Sequence, residues 1–232
     1  MKILALDTAT GNCSAALLLN GRLLVRERLL ERGHAASILA MIDEVLGEGG
    51  VSLGQLTAIA FGRGPGSFTG VRLAASVTQG LAFAAGLPVL PVSDLRAVAQ
   101  RIVAEESAAE RILVCNDARM HEVYWSAFAR SAGGLAEPVG AEHVGGPAQV
   151  ALPAAWLQGP AVWGAGSGFD VYPALGQLGP RGLSVVTGLY PRATEIARLA
   201  LAEAEAGRLL DAQMAVPVYL RDNVVQPPAG SH

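Results

Sequence analysis

The stretch from Leu56 to Ala85 limits the fold more than any other part of the chain. It runs LTAIAF, then the glycine loop GRGPGSFTG, then VRLAASVTQGLAFAA. A short apolar run bounded by turn residues reads as a strand covered on both faces, the kind found in the middle of a sheet. The long run after the loop reads as a helix over Val71–Ala85, small or apolar on nearly every side, and therefore buried on more than one face. Strand, glycine loop and helix in that order make a βα unit, which requires a parallel neighbour reached by a crossover.

The flanking segments extend that unit. ILALDT reads as a first strand ending at Asp7, and the next run makes two strands around Asn20-Gly21, the strongest short hairpin signal. HAASILAMIDEVLGEGG reads as a helix whose Ile38, Leu39, Ile42, Val45 and Leu46 share one face and whose glycines 47, 49 and 50 end it. After the loop and its helix come a short strand in LPVLPVS and a third helix from Asp94 to Glu106. The order is strand, strand, strand, helix, strand, helix, strand, helix. That gives a mixed sheet with helices packed on it, in the α/β class.

The second half repeats the theme more loosely. RILVCND reads as a strand ending at Asp117, as the first strand ends at Asp7, and HEVYWSAFAR as its neighbour. Residues 138–188 are rich in glycine and proline. TEIARLALAEAEAG makes a closing helix with Thr194 as its expected cap. The tail from Val216 to His232 is expected to add a strand and then fray. The lobe boundary is placed near 104–111, giving a lobe over 1–106 and a smaller, looser one over 107–232 that carries the closing helix and tail.

The glycine loop admits two chemistries. Backbone N–H groups at a helix start favour an anion, and Asp7, Thr8, Thr10, Ser67 and Thr69 are the residues that would meet a nucleotide or phosphate. A P-loop, however, ends in lysine followed by serine or threonine, and this loop has no lysine. The plainer reading is that Ser67 or Thr69 caps the helix, and the residues by themselves favour it. DTAT at 7–10 would likewise be a turn that satisfies backbone donors. Asp117, Arg119 and Glu122 make a polar cluster or an ion pair, and GAGSG at 164–168 is a weak nucleotide signal.

Other classes find less support. The net charge is −3, and the only lysine is Lys2, so no basic stripe marks a chain that grips nucleic acid alone. No two of His34, His121, His143 and His232 have metal-ligand spacing, so no metal site is expected. With 51% apolar residues the chain is no disordered tail, yet no run suggests a membrane span. The first residues reach Asp7 too soon for a signal peptide. Cys13 and Cys115 read as buried free thiols, which suits a reducing cytoplasm.

Together, ILALDTATGNCSAAL, GHAASILAMIDEVL, the segment from Gly62 to Leu95, DARMHEVYW and PVYLR resemble the TsaB (YeaZ) family of the threonylcarbamoyladenosine tRNA-modification pathway. The resemblance implies an actin-like (ASKHA) fold of two RNase H-like lobes. It implies a non-catalytic scaffold in the cytoplasm whose paralogue, TsaD, carries the transferase site. The histidines that hold the paralogue's metal would fall at Asp94 and Val98, and valine cannot ligate a metal. The implied surface for TsaD comprises His34, Ile38, Met41, Ile42 and Val45 on one helix and Val71, Ala74, Ala75, Thr78 and Ala82 on the next. The same surface would make a homodimer when the chain is alone. The TsaE ATPase would join the assembly, ATP or ADP would sit only at the partner junction, and tRNA would be met indirectly. The rival reading is a stand-alone actin-like ATPase or small-molecule kinase.

Overall fold

The computed structural model describes residues 1–221. The first half contains β1 (Lys2–Asp7), β2 (Asn12–Leu19), β3 (Arg22–Leu29), α1 (His34–Gly49), β4 (Ala58–Gly62), α2 (Phe68–Ala85), β5 (Val89–Val92) and α3 (Asp94–Glu105). The element order is the expected one. Asn20 and Gly21 turn between β2 and β3 with φ of 51° and 87°, the two left-handed residues such a hairpin demands. Gly50, at φ 62°, ends α1, whereas Gly47 and Gly49 stay inside its last turn.

The second half contains β6 (Arg111–Asp117), β7 (Val123–Arg130), β8 (Ala136–Pro138), β9 (His143–Gly145), β10 (Val162–Ala165), the single-turn α4 (Gly168–Val171), β11 (Ser184–Val186) and α5 (Ala193–Glu205). The glycine-rich stretch thus carries short strands and 3-10 turns. Of the expected tail strand, 216–221 is irregular, and the rest, with its expected fraying, lies outside the described residues.

The sheet order is β3-β2-β1-β4-β5 in the first half and β8-β7-β6-β10-β11 in the second, with β9 added beside β7. In both, the first three strands in sequence are antiparallel and the last two join in parallel. Asp7 and Asp117 therefore end equivalent strands of a repeated unit.

The helical cover is not repeated in step with the strands. Leu4, Leu6, Ile59 and Phe61 project from one face of the first sheet onto α1 and α2. Ile3, Ala5, Ala60 and Leu90 project from the other face onto α5, which comes from the far end of the chain. Conversely, Leu95, Val98, Ile102 and Val103 of α3 pack on Ile112, Val114 and Phe128 of the second sheet. The chain crosses between sheets at 106–110, yet each lobe's last helix covers the other lobe's sheet. The closing helix, grouped by sequence with the second lobe, lies on the first. Arg96 on α3 fastens the exchange, reaching the Ala136 carbonyl at 2.7 Å, Glu137 at 3.0 Å and Glu203 of α5 at 2.7 Å.

Thr194 does not cap α5; it lies inside the first turn, and the helix start has no local side-chain cap. Ser14 of β2 accepts the Ala193 N–H at 2.9 Å instead, and the Asn12 amide donates to the Pro191 carbonyl at 3.0 Å.

Candidate functional site

The glycine loop folds onto the turn after β1 and spends several of its backbone donors there. The Ser67 N–H donates to the Ala9 carbonyl at 2.7 Å, and the Gly64 N–H donates to Asp94 at 2.5 Å. Ser67 Oγ accepts the Gly70 N–H at 3.2 Å and caps α2, which begins at Phe68, three residues before the apolar run. Gly70 must be glycine, because a Cβ there would stand 2.1 Å from the Thr8 carbonyl oxygen. Of the donors that a phosphate cradle would offer, those of Gly64, Ser67 and Gly70 are spent inside the chain.

The residues expected to meet a nucleotide separate accordingly. Asp7 is fully buried, and its Oδ1 accepts the Ala9 N–H at 2.9 Å. Thr8 is buried and donates to the Gly70 carbonyl at 2.7 Å. Thr69 is exposed on the first turn of α2. Only Thr10 and Ser67 line the cleft between the lobes, a space of about 640 Å³. Across from them stand Asn116, Asp117, Arg119 and Ser167. Asp117 Oδ1 accepts the Arg119 N–H at 3.1 Å, Oδ2 pairs with the Arg119 guanidinium at 3.3 Å, and the Asp117 N–H donates to Ser167 Oγ at 3.1 Å. Glu122 turns away from this pair to Arg221 of the tail. Glu31 and Asp170 add carboxylates to the lining, so the cleft is acidic and poorly suited to a polyphosphate.

The helix residues expected at a partner surface face inward. Ile38, Met41, Ile42 and Val45 of α1, with Val71, Ala74, Ala75, Thr78 and Ala82 of α2, are buried in the chain itself, while His34 is half-buried with its Nε2 3.0 Å from the Thr10 carbonyl. The physical reason is simple: the periodicity that marks an apolar helix face marks the face packed on the helix's own sheet. The exposed residues of the α1–α2 layer include Ala36, Leu39 and Ala40, followed by Asp43, Glu44 and Glu48, on α1, and Arg72, Ser76, Gly80, Phe83 and Ala84 on α2. Leu39 is 49% exposed and Phe83 62%, and a Cβ at Gly80 would meet nothing.

Several contacts had no sequence signal. Arg63 pairs with Glu142 at 3.0 Å across the lobes, and Arg72 lies over the Phe68 ring at 3.5 Å while donating to the Tyr219 hydroxyl at 2.7 Å. Val98, where the resemblance put one of the paralogue's metal ligands, is fully buried in apolar packing. The sequence does contain a Gly-x-Ser-x-Gly pattern, the signature of serine-hydrolase elbows, as GVSLG at 50–54. It follows α1 instead of joining a strand to a helix, and Ser52 pairs with Gln55 in a surface turn. Cys13 and Cys115 are buried free thiols. Among the described residues, no helix is long and apolar enough to cross a membrane.

A mixed five-strand unit made twice, last helices exchanged and a cleft between, defines an actin-like (ASKHA) protein. The family model of TsaD, tRNA N6-adenosine threonylcarbamoyltransferase, matches residues 27–163. The chain is 39% identical to the tRNA threonylcarbamoyladenosine biosynthesis protein TsaB of Escherichia coli (strain K12), over 97% of this chain and 96% of that protein. It is 52% identical to TsaB of Haemophilus influenzae, over 56% of this chain and 55% of that protein. It superposes on YeaZ from Pseudomonas aeruginosa with a TM-score of 0.86 at 42% identity, over 94% and 99% of the two chains. A second Pseudomonas aeruginosa structure, described as an uncharacterized protein similar to the peptidase YEAZ, gives 0.88 at 43% identity over 95% and 99%. The chain belongs to the TsaB (YeaZ) family.

Proposed function

We propose that this chain serves tRNA threonylcarbamoyladenosine formation as a non-catalytic partner that binds and activates a TsaD-type paralogue in the cytoplasm. The observation that carries the reading is the outer face of the α1–α2 layer. Ala36 and Ala40 flank exposed Leu39 on α1, and Ser76 and Gly80 precede exposed Phe83 on α2, both helices packed on the same face of the first sheet. Such a surface lets two further helices approach closely and buries apolar area when they do. The same face accounts for a homodimer of the chain alone. Nucleotide belongs at the junction with the paralogue, where the TsaE ATPase joins, and tRNA is met through the assembly.

The test is light scattering after size-exclusion chromatography, on the chain alone and with its cognate TsaD. Gly80→Arg puts a charge on the outer face without touching the core. The expected result is a heterodimer that forms with the native chain and is lost with the variant, whose melting temperature is unchanged. A complex indifferent to Gly80→Arg would move the docking surface elsewhere; no complex at all would remove the partner reading.

The stand-alone ATPase or kinase is the rival reading: the cleft between the lobes, about 640 Å³, gives it room, while the acidic lining counts against it. Calorimetry with magnesium and ATP separates the two, because saturable binding by the isolated chain would favour the rival.

A further inference from the structure

We propose that Asp7 and Asp94 share a single proton across a fully buried contact, and that this shared proton latches the glycine loop at the start of α2. The inference rests on the core of the first lobe and stands apart from the partner reading.

Asp7 ends β1 and Asp94 begins α3, and neither has any exposed surface. Each has one oxygen satisfied by a backbone donor: Asp7 Oδ1 by the Ala9 N–H at 2.9 Å, Asp94 Oδ2 by the Gly64 N–H at 2.5 Å. Asp7 Oδ2 and Asp94 Oδ1 have no donor from the described chain. Both carboxyls crowd the same point beside Gly62, where they act on each other directly. Gly62 makes the room, since a Cβ there would stand 2.4 Å from Asp94 Oδ1 and 2.7 Å from Asp7 Oδ1. Two carboxylates cannot both hold a charge in such a space without water or a cation; one proton between them removes the repulsion and supplies the missing donor.

The neighbouring charges do not relieve the pair. Glu27 on β3 pushes Asp7 the same way as burial does. Arg63, in the loop after β4, favours a charged Asp94, but its guanidinium is already held by Glu142. Cys13 on β2 is a buried thiol pushed up to about 11 and so stays neutral, although Arg28 of β3 draws it down slightly. At the start of α5, Arg192, the residue before the helix, and Glu195 pair with each other at 2.7 Å. Burial raises Asp7 to about 6, and burial together with the Asp7 charge raises Asp94 well above the ordinary carboxylate range.

The latch joins the ends of β1 and α3 to the loop at Gly64, three residues before the Ser67 cap of α2. The folded chain keeps protons that the unfolded chain releases near the ordinary value of 3.8. The pair's contribution to stability is therefore complete below that value. It falls as pH rises through about 6 and onward through the higher value of Asp94.

The test is thermal unfolding of the full chain between about pH 5 and pH 9, native beside Asp94→Asn and Asp7→Asn. An asparagine amide can donate to the facing carboxylate as the acid did. The expected result is a native midpoint that falls by several degrees more than that of Asp94→Asn over the alkaline half of the range. Parallel profiles would overturn the shared proton. Should either variant fail to fold, infrared spectra of the native chain decide alone. A protonated-carboxyl band near pH 6 that fades on alkalinisation is expected, and its absence overturns the proposal. Amide exchange over residues 62–71, compared between native and Asp94→Asn at one alkaline pH, tests the latch. Faster exchange in the native chain is expected, and equal exchange would overturn it.

Discussion

The two lobes share one strand order and differ in what covers it. The first sheet is sandwiched between long helices, α1 and α2 on one face and α5 on the other. On the second sheet, α3 covers one face, and the other is covered by 3-10 turns and the single-turn α4, around Trp156, Phe169 and Leu175. A sheet needs its apolar faces covered but does not dictate by what. Long helices in the first lobe leave a broad outer surface free for another protein, whereas the second lobe spends its chain on short pieces that fill in around its own core. The interface proposed for the first lobe therefore has no counterpart in the second.

The exchange of last helices gives the comparison its sharpest test. All three tryptophans, Trp125, Trp156 and Trp163, lie in the second half, so their fluorescence reports on the second sheet while far-ultraviolet dichroism reports on both. Ile196 of α5 is fully buried against the first sheet. Ile196→Asp places a charge there and is expected to cost at least about 3–5 kcal/mol. The tryptophan transition should move with the dichroism transition, because α5 and α3 tie the sheets together. A shift in dichroism alone would mean that the lobes unfold independently.

The reciprocal substitution is milder. Ile102 of α3 is encoded with the first lobe but buried on the second sheet. Ile102→Ala should cost roughly 2–5 kcal/mol and again move both probes together. Urea titration gives the value, and a loss confined to dichroism would contradict the exchanged packing.

What the sequence made legible follows the range of the interactions. The hairpin at Asn20-Gly21, the helices and the central strand β4 come from neighbouring residues, and the paired ends at Asp7 and Asp117 expose the repeat. The exchange of α3 and α5 depends on contacts between distant segments, such as Ser14 with Ala193, that leave no local pattern. The partner surface was less legible. The resemblance pointed to α1 and α2 as whole helices, and an apolar residue on either does not say whether its cover is the chain's own sheet or a partner; Ile38 to Val45 and Val71 to Ala82 include the residues covered by the sheet. Asp7 resembled a ligand residue because its partner Asp94 is far along the chain.

The helix caps reduce this contrast to a single hydrogen bond each. Ser67 caps α2 from the adjacent position, as its sequence context suggested. Ser14 meets the first N–H of α5 from the opposite end of the chain, while Thr194, the cap suggested by sequence, makes no cap at all. Ser67→Ala and Ser14→Ala should each cost about 1 kcal/mol, the usual value of a lost helix cap. Thr194→Ala should stay within about 0.5 kcal/mol, as a substitution that removes no special contact does. Denaturant midpoints of the three variants, measured at one pH, check the ranking. A Thr194→Ala loss equal to that of Ser14→Ala would show that α5 is held by its own sequence instead of by the first lobe, and the account of the exchanged helix would have to change with it.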